Sequence, residues 1–411
     1  MPKITNCQHD SFDPHILGSF DAIVVGAGFA GAVAARQLAE RGGLRVAVVE
    51  KRHHVAGNAY DCINDHGVFI HEYGPHIFHT TSKRVFDYLS RFTQWRHYEH
   101  EVKAFINGAY VPVPFNLNSI DLSFEAEKAR AISTSLIKSF GMGTKIPIIE
   151  LRQNDNPLLR ELADYVYENV FLHYTLKQWG LTPDQIDPAV TARVPVLVDR
   201  DNRYFQDPWQ GIPAQGYTAL VNNMLNHPGI EVFLNLDARS LLRFREREAP
   251  DQGFSGAEVA GWAFEGLIVF TGALDELCNE RFGLLPYRSV DFVYRHYEQR
   301  FVQPCGTVNF TVSEDYTRTS EYTWLTGQEI DKSSVAEEYP RPYEDTDTQI
   351  PYYPIVGDEN LAFYKRYLEL FSTMKNFYLL GRLAEYRYYN MDQIVLRALE
   401  LTDGIIDDTN Q

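Results

Sequence analysis

Three glycines, Gly26, Gly28 and Gly31, stand in the spacing G-x-G-x-x-G, and an acid, Glu50, follows them at the end of an apolar run. This set binds a pyrophosphate largely with backbone. The first glycine makes a tight turn, the second lets the chain approach the phosphates, and the third lets a helix pack closely on a strand. A helix opening there offers unpaired N–H groups and the positive end of its dipole, while the acid accepts from a ribose hydroxyl. Elements that position such residues are legible on both sides. Asp21–Val25 is a short β-branched strand, small residues continue at helical spacing (Ala34, Ala35, Leu38), and Arg45–Val49 reads as the parallel partner strand. The unit therefore predicts a bound dinucleotide.

The next segment bears on which one. Lys51 and Arg52 are followed by Val55-Ala-Gly57-Asn58-Ala-Tyr60. A second glycine loop beside basic residues suits a long pyrophosphate with an extended second half, a pattern closer to FAD proteins than to NAD ones; the bland alternative is a surface turn. His71, His76 and His79 crowd the stretch HEYGPHIFHT. Gly74-Pro75 breaks the helical spacing that a two-histidine metal site exploits, and only Glu72 is nearby as a carboxylate. Structural histidines and histidines beside a cofactor ring remain as readings, with no metal expected.

Composition sets the limits. The 411 residues allow two or three domains, and 45% hydrophobic content is enough for full cores. A formal net charge of −17 argues against nucleic acid or an acidic membrane as partner, so an anionic substrate needs a local cluster of Arg and Tyr. Four scattered cysteines (Cys7, Cys62, Cys278, Cys305) show no metal spacing and read as reduced thiols in a cytoplasmic protein. No apolar run reaches membrane-spanning length, the first twenty residues lack a signal-peptide core, and residues 1–18 read as a loose extension.

Texture changes along the chain. Phe124–Phe140 and Leu158–Tyr174 carry apolar residues at three- and four-residue spacing, the mark of helices, with Pro147, Pro157 and Pro183 between them. Residues 290–325 alternate as strands do, and Leu267–Gly272 reads as a buried strand returning to the dinucleotide sheet. Residues 243–261 read as a solvated loop or hairpin, Asn376–Gly381 as a strand, and Asp392 onward as a helix. The dinucleotide domain is thus expected to be discontinuous.

Further segments concentrate functional residue types: YTLKQWG (174–180), RVPV (193–196) with NRYF (202–205), and GRLAEYRYYNMD (381–392). Taken alone, the aromatics of YTLKQWG fit a core at a helix end. Together with GAGFAG, GNAYD, YGPHIFHT, PFNLNSI, QGIPAQGY, NFT…YTR and PYYP, in this order from about residue 20 onward, they resemble the bacterial UDP-galactopyranose mutase family. Two departures stand out: Ala56 replaces a glycine usual in that loop, and Leu197 stands where the family often has a second arginine after RVPV.

The resemblance implies an α/β fold: a Rossmann-type FAD-binding domain (19–98, 210–285, 359–411), an inserted helical domain (115–195, with a mobile substrate loop to about 209) and an antiparallel β-sheet domain (99–114, 286–358). It implies an isomerase that interconverts UDP-α-D-galactopyranose and UDP-α-D-galactofuranose, supplying cell-surface polysaccharide, with FAD that must be reduced. Flavin N5 attacks the anomeric carbon and displaces UDP, with no net redox. Carried over by motif, Arg193 and Arg318 clamp the diphosphate, and His79 joins them as a catalytic residue. Tyr174 and Trp179 hold uracil and the sugar, Thr175 and Asn309 polar edges, and Tyr204, Tyr353 and Tyr388 supply hydroxyls. Cofactor contacts fall to Gly26, Gly28, Gly31, Glu50, Lys51, Asn58, His76, Ile77, Arg382, Tyr389, Asn390, Met391 and Asp392. An external electron donor and a homo-oligomer are also expected. The competing reading is a flavin-dependent amine or polyol oxidoreductase, which shares the same dinucleotide unit.

Overall fold

The computed structural model describes residues 1–8, 12–180, 182, 195–247, 253–344 and 348–409. At its centre is a six-stranded, all-parallel sheet. Its strands are β1 (Lys3–Asn6), β2 (Ala22–Val25), β3 (Val46–Glu50), β4 (Ile230–Leu234), β5 (Leu267–Phe270) and β6 (Phe377–Leu379), in the order β1-β4-β3-β2-β5-β6. The inner strands β2, β3, β4 and β5 are mostly apolar and buried because both their faces are covered. Val24, Val48 and Val269 point into one core with the helices α1 (Phe29–Glu40) and α3 (Met391–Thr409). Ile23, Val49 and Ile268 point into the opposite core, which is closed by a three-stranded antiparallel sheet built from 242–264 and by the helix Asp358–Leu370.

β1 corrects the expectation of a loose N-terminal extension. Lys3–Asn6 pairs in parallel with Glu231–Leu234, Lys3 meets Glu231 in an ion pair, and Leu17 is fully buried. The extension is the edge strand of the sheet.

A second sheet of seven strands carries Tyr287–Tyr297, Ser333–Pro342, Arg318–Glu321 and Thr307–Asn309, and reaches Val102–Ile106 and Ala109–Val113 at its far edge. It is mixed rather than antiparallel throughout, because Thr307–Asn309 runs parallel to Val102–Ala104. The helices of 117–179 share a third core with the Val102–Val113 hairpin. Within them Pro157–Val166 continues through a wide-turned segment, Tyr167–Leu172, into α2 (His173–Trp179), which stops at Gly180 with φ of 70°. No helix among the described residues is long and apolar enough to cross a membrane.

The tightest contact in the nucleotide unit is helix on strand. A Cβ on Gly31 would stand 1.9 Å from Gly26 O and 3.2 Å from Val24 Cγ1, a clash with backbone that no rotamer relieves. Gly31→Ala is therefore expected to destabilise the protein by about 2 kcal/mol or more. Equilibrium urea unfolding measures this, and an unchanged midpoint would contradict the packing.

Candidate functional site

A cavity of about 670 Å³ opens at the C-terminal ends of β2, β3 and β5, where doubly wound sheets take their ligands. Gly26 turns the chain there with φ of 100°, and a Cβ on it would lie 2.1 Å from Thr271 Oγ1. Gly28 and Gly57 meet back to back: a Cβ on Gly57 would stand 3.0 Å from Gly28 Cα. Ala56 N–H donates to Ala27 O at 2.9 Å, and the Glu50 carboxylate accepts from Ala27 N–H at 2.8 Å and Arg52 N–H at 2.9 Å. The two glycine loops are thus joined by backbone bonds through one buried acid.

The wall carries the basic residues. Lys51 Nζ lies 3.5 Å from Glu276 Oε2. Arg52 stacks 4.4 Å from the Tyr73 ring centroid and donates from Nη2 to Asn58 Oδ1 at 2.9 Å, while its buried Nη1 has no partner among the described residues. Arg382, Tyr389, Asn390 and Met391 line it as well. A glycine cradle, a carboxylate, an orphaned donor and a second arginine fit an elongated ligand with an anionic middle.

His76 also lines the cavity. Its Nδ1 bonds Gly74 O at 2.8 Å, so the neutral ring presents Nε2 as an acceptor. Burial first, and then the charges of Arg382 and Arg318, hold it down at about 4.

Beside this chamber stands a cluster of tyrosines and arginines. Tyr353 stacks on Tyr388 with centroids 5.9 Å apart, and Trp179 closes on Tyr353 at 5.9 Å. The Arg382 guanidinium lies 5.2 Å and 4.8 Å from the Tyr353 and Tyr388 centroids, and donates to Tyr352 O and Tyr389 O at 3.0 and 2.6 Å. Arg318 comes from the second sheet, opposite Asn309 on one side and Glu338 on the other. Its Nε sits 2.7 Å from Glu338 Oε1 at an angle that makes no hydrogen bond, and its side chain is 27% exposed. Burial raises the Tyr174 hydroxyl's pKa against the pull of Arg318, so it stays protonated and able to donate. Thr175 is buried on α2, and Tyr204 is anchored through its N–H to His100 O at 2.7 Å. Arg318 and several hydroxyls can therefore face one diphosphate, with Arg382 on the cofactor side of the same cluster.

Gly31 packs helix on strand, as its spacing predicts. Three other expected contacts are absent from the cavity lining, and the first of them, Ile77, packs against the core. Asp392 accepts from Thr80 Oγ1 at 3.0 Å. His79 stacks on Phe205 at 3.6 Å and meets Asp207 Oδ2 at 2.5 Å, because the strand Phe78–Thr80 buries Phe78 and turns its neighbour to the opposite side. Arg193 lies outside the described residues. Leu197 is buried in a two-stranded ladder opposite Lys145, so a ligand contact at that position is not on offer. Arg52, Thr271 and the segments 235–239 and 348–352 also line the cavity; Arg52 beside the second glycine loop, the strand ending at Gly272 and the PYYP motif were signals for these, whereas 235–239 gave none.

Fold and cavity together define a Rossmann-type dinucleotide enzyme. The profile of the NAD(P)-binding Rossmann-like domain matches residues 24–92, and that of UDP-galactopyranose mutase matches 169–388. A UDP-galactopyranose mutase of Mycoplasma genitalium is 34% identical, over 95% of this chain and 96% of the relative. A dTDP-fucopyranose mutase of Escherichia coli is 33% identical, over 92% and 96%. The crystal structure of a reduced UDP-galactopyranose mutase superposes with a TM-score of 0.66 at 15% identity, covering 95% of both chains. A putrescine oxidase variant reaches 0.56 at 15% identity, over 95% and 99%, so the fold alone does not separate the two chemistries. The chain belongs to the UDP-galactopyranose mutase family.

Two outcomes follow from this geometry. Ala56 holds φ of 73° and ψ of −1°, the left-handed region that costs a side-chain-bearing residue about 1–2 kcal/mol. Ala56→Gly is expected to stabilise the protein by about 0.5–1 kcal/mol in urea unfolding, once glycine's greater unfolded-state freedom is subtracted; a loss would contradict the strain. Burial also depresses five histidines, His54 and His76 to about 4, His71 and His100 to about 3, and His296 in the same direction. Unfolding lets each return towards 6.5 and take up a proton. Stability should then be level above that pH and fall below it by about 1.4 kcal/mol per pH unit for each fully buried ring. Denaturant midpoints at about pH 7 and about pH 5.5 test this, and equal midpoints would refute it.

Proposed function

We propose that the protein interconverts UDP-α-D-galactopyranose and UDP-α-D-galactofuranose with reduced FAD in the cavity, and that it acts in the cytoplasm with an external electron donor. Family membership over more than nine-tenths of the chain carries this reading. The cradle at Gly28 and Gly57 and the orphaned Arg52 nitrogen fit the adenine half and pyrophosphate of such a cofactor. When bound, reduced FAD supplies the nucleophilic nitrogen that takes the anomeric carbon from UDP.

The protein's share is orientation and charge. Arg318, with Arg193 from the substrate loop, holds the diphosphate as it turns from substituent into leaving group, and Tyr353, Tyr388 and Tyr204 add neutral donors. Guanidinium suits this because it donates two parallel bonds and keeps its charge. Trp179 and Tyr174 face the uracil, with Thr175 and Asn309 on its polar edges. His76 offers an acceptor to the cofactor ring, and Arg382 supports the pyrophosphate end.

The test is a chromatogram of UDP-galactopyranose incubated anaerobically with the holoprotein, with and without dithionite, and with dTDP-fucopyranose alongside. A UDP-galactofuranose peak only after reduction is expected. Equal conversion by oxidised protein, or oxygen uptake with an amine or polyol, would overturn the reading, and faster turnover of the dTDP sugar would move the substrate. Arg318→Lys should lower kcat/KM by about a hundredfold or more, since one charge-assisted donor at a leaving group is worth a few kcal/mol. Its flavin content should not change; near-normal turnover would remove Arg318 from the clamp.

A further inference from the structure

α2 carries Tyr174, Thr175 and Trp179, but it grows out of the helical body, whereas Arg318 and Tyr353 stand on the seven-stranded sheet. Two cations bridge that division. Lys177 Nζ donates to Phe310 O at 2.8 Å and to Ser313 O at 2.6 Å, in the loop that links the two strands bearing Asn309 and Arg318. Arg288 reaches back from the sheet. It sits in register with Tyr353, and its Nε and Nη2 donate to Gln178 O at 2.9 Å and Lys177 O at 3.1 Å.

Arg288 is an unlikely residue to bury for packing alone. It is 6% exposed, it has no carboxylate partner among the described residues, and desolvation pulls its pKa down. A buried cation without a counter-ion is costly, and an apolar side chain of similar volume would fill the space at less expense. What compensates it is the C-terminus of a helix, where the last carbonyls lack partners and the dipole is negative. Gly180 leaves those carbonyls open: its left-handed turn ends α2, and a Cβ there would stand 3.6 Å from Arg288 Nη1. Upstream, the π-type turns of Tyr167–Leu172 separate α2 from the rest of the helical body. Such turns interrupt the regular hydrogen-bond register of a helix and gather at functional sites.

We propose that Arg288, seconded by Lys177, is a positioning residue that docks the end of α2 onto the sheet, holding Trp179 against Tyr353 and so setting affinity for the nucleoside of the substrate without touching it. The proposal rests on the mutase reading above. With both bonded nitrogens committed to backbone, Arg288 acts through α2, and its loss should appear in binding more than in chemistry.

The test uses Arg288→Ala, Arg288→Lys, Lys177→Met and Trp179→Ala as flavin-loaded proteins, with UDP affinity by calorimetry and KM and kcat for UDP-galactopyranose. Arg288→Ala should raise the UDP Kd and KM together by about tenfold, the scale of one lost base-stacking contact, with kcat much less affected and flavin content unchanged. Arg288→Lys should recover part of the loss, since one ammonium can still bond a C-terminal carbonyl. Lys177→Met should weaken UDP in the same direction. Adding Trp179→Ala to Arg288→Ala should cost little more affinity, because the ring is what the arginine holds. Normal Kd and KM in Arg288→Ala, or losses fully additive with Trp179→Ala, would overturn the proposal. Should Arg288→Ala not fold, Lys177→Met and Arg288→Lys carry the same comparison with Trp179→Ala, and normal Kd values in both would overturn it. Wild-type protein that fails to bind UDP would instead sink the mutase reading itself, which separates the two failures.

Discussion

Two backbone segments that touch with no side chain between them set the geometry of this protein. Gly28 and Gly57 come so close that a single methyl on Gly57 would press on Gly28 Cα, and Glu50 ties their loops by accepting from Ala27 and Arg52. That approach brings the pyrophosphate turn and the second loop to the same ends of β2 and β3. It also places Arg52 and Asn58 in the cavity wall, with Tyr73 stacked against Arg52. The sheet, α1 and the opposing cores keep the approach rigid, since both faces of every central strand are buried.

Charge is the second constraint. A chain with a net charge of −17 repels an anionic nucleotide sugar at long range, so attraction has to be built locally. The cluster does this with few cations and many neutral hydroxyls. Arg382 is held between the Tyr353 and Tyr388 rings and backbone carbonyls, and Arg318 is paired with the buried Glu338 while its side chain keeps 27% exposure. Burial keeps Tyr174 and Tyr353 protonated, so they can donate to an anion. His76 is held neutral by the same burial and the same arginines.

Legibility in the sequence followed the range of the contacts. The GAGFAG unit is read locally because strand, turn, helix and acid lie within thirty residues. Its second loop and the aromatic strings of α2 and of 381–392 were also visible. β1 was not: Lys-Ile-Thr-Asn is an edge strand whose one large apolar residue, Ile4, is exposed, and its partner lies beyond residue 229. His76 and His79 look alike in sequence, but one sits in a loop beside the cavity and the other in a strand facing Asp207. Arg288 gave no signal at all, because what distinguishes it is a pair of carbonyls more than a hundred residues away.

The proposed reaction requires a flavin that works as a covalent catalyst and is not spent. The most direct check is to count reducing equivalents per product in an anaerobic cuvette, with holoprotein reduced once and then given excess UDP-galactopyranose. Many turnovers with the flavin band still bleached and no further reductant consumed is the predicted result. Conversion that stops after one product per flavin, or that returns the yellow band in step with product, would contradict it.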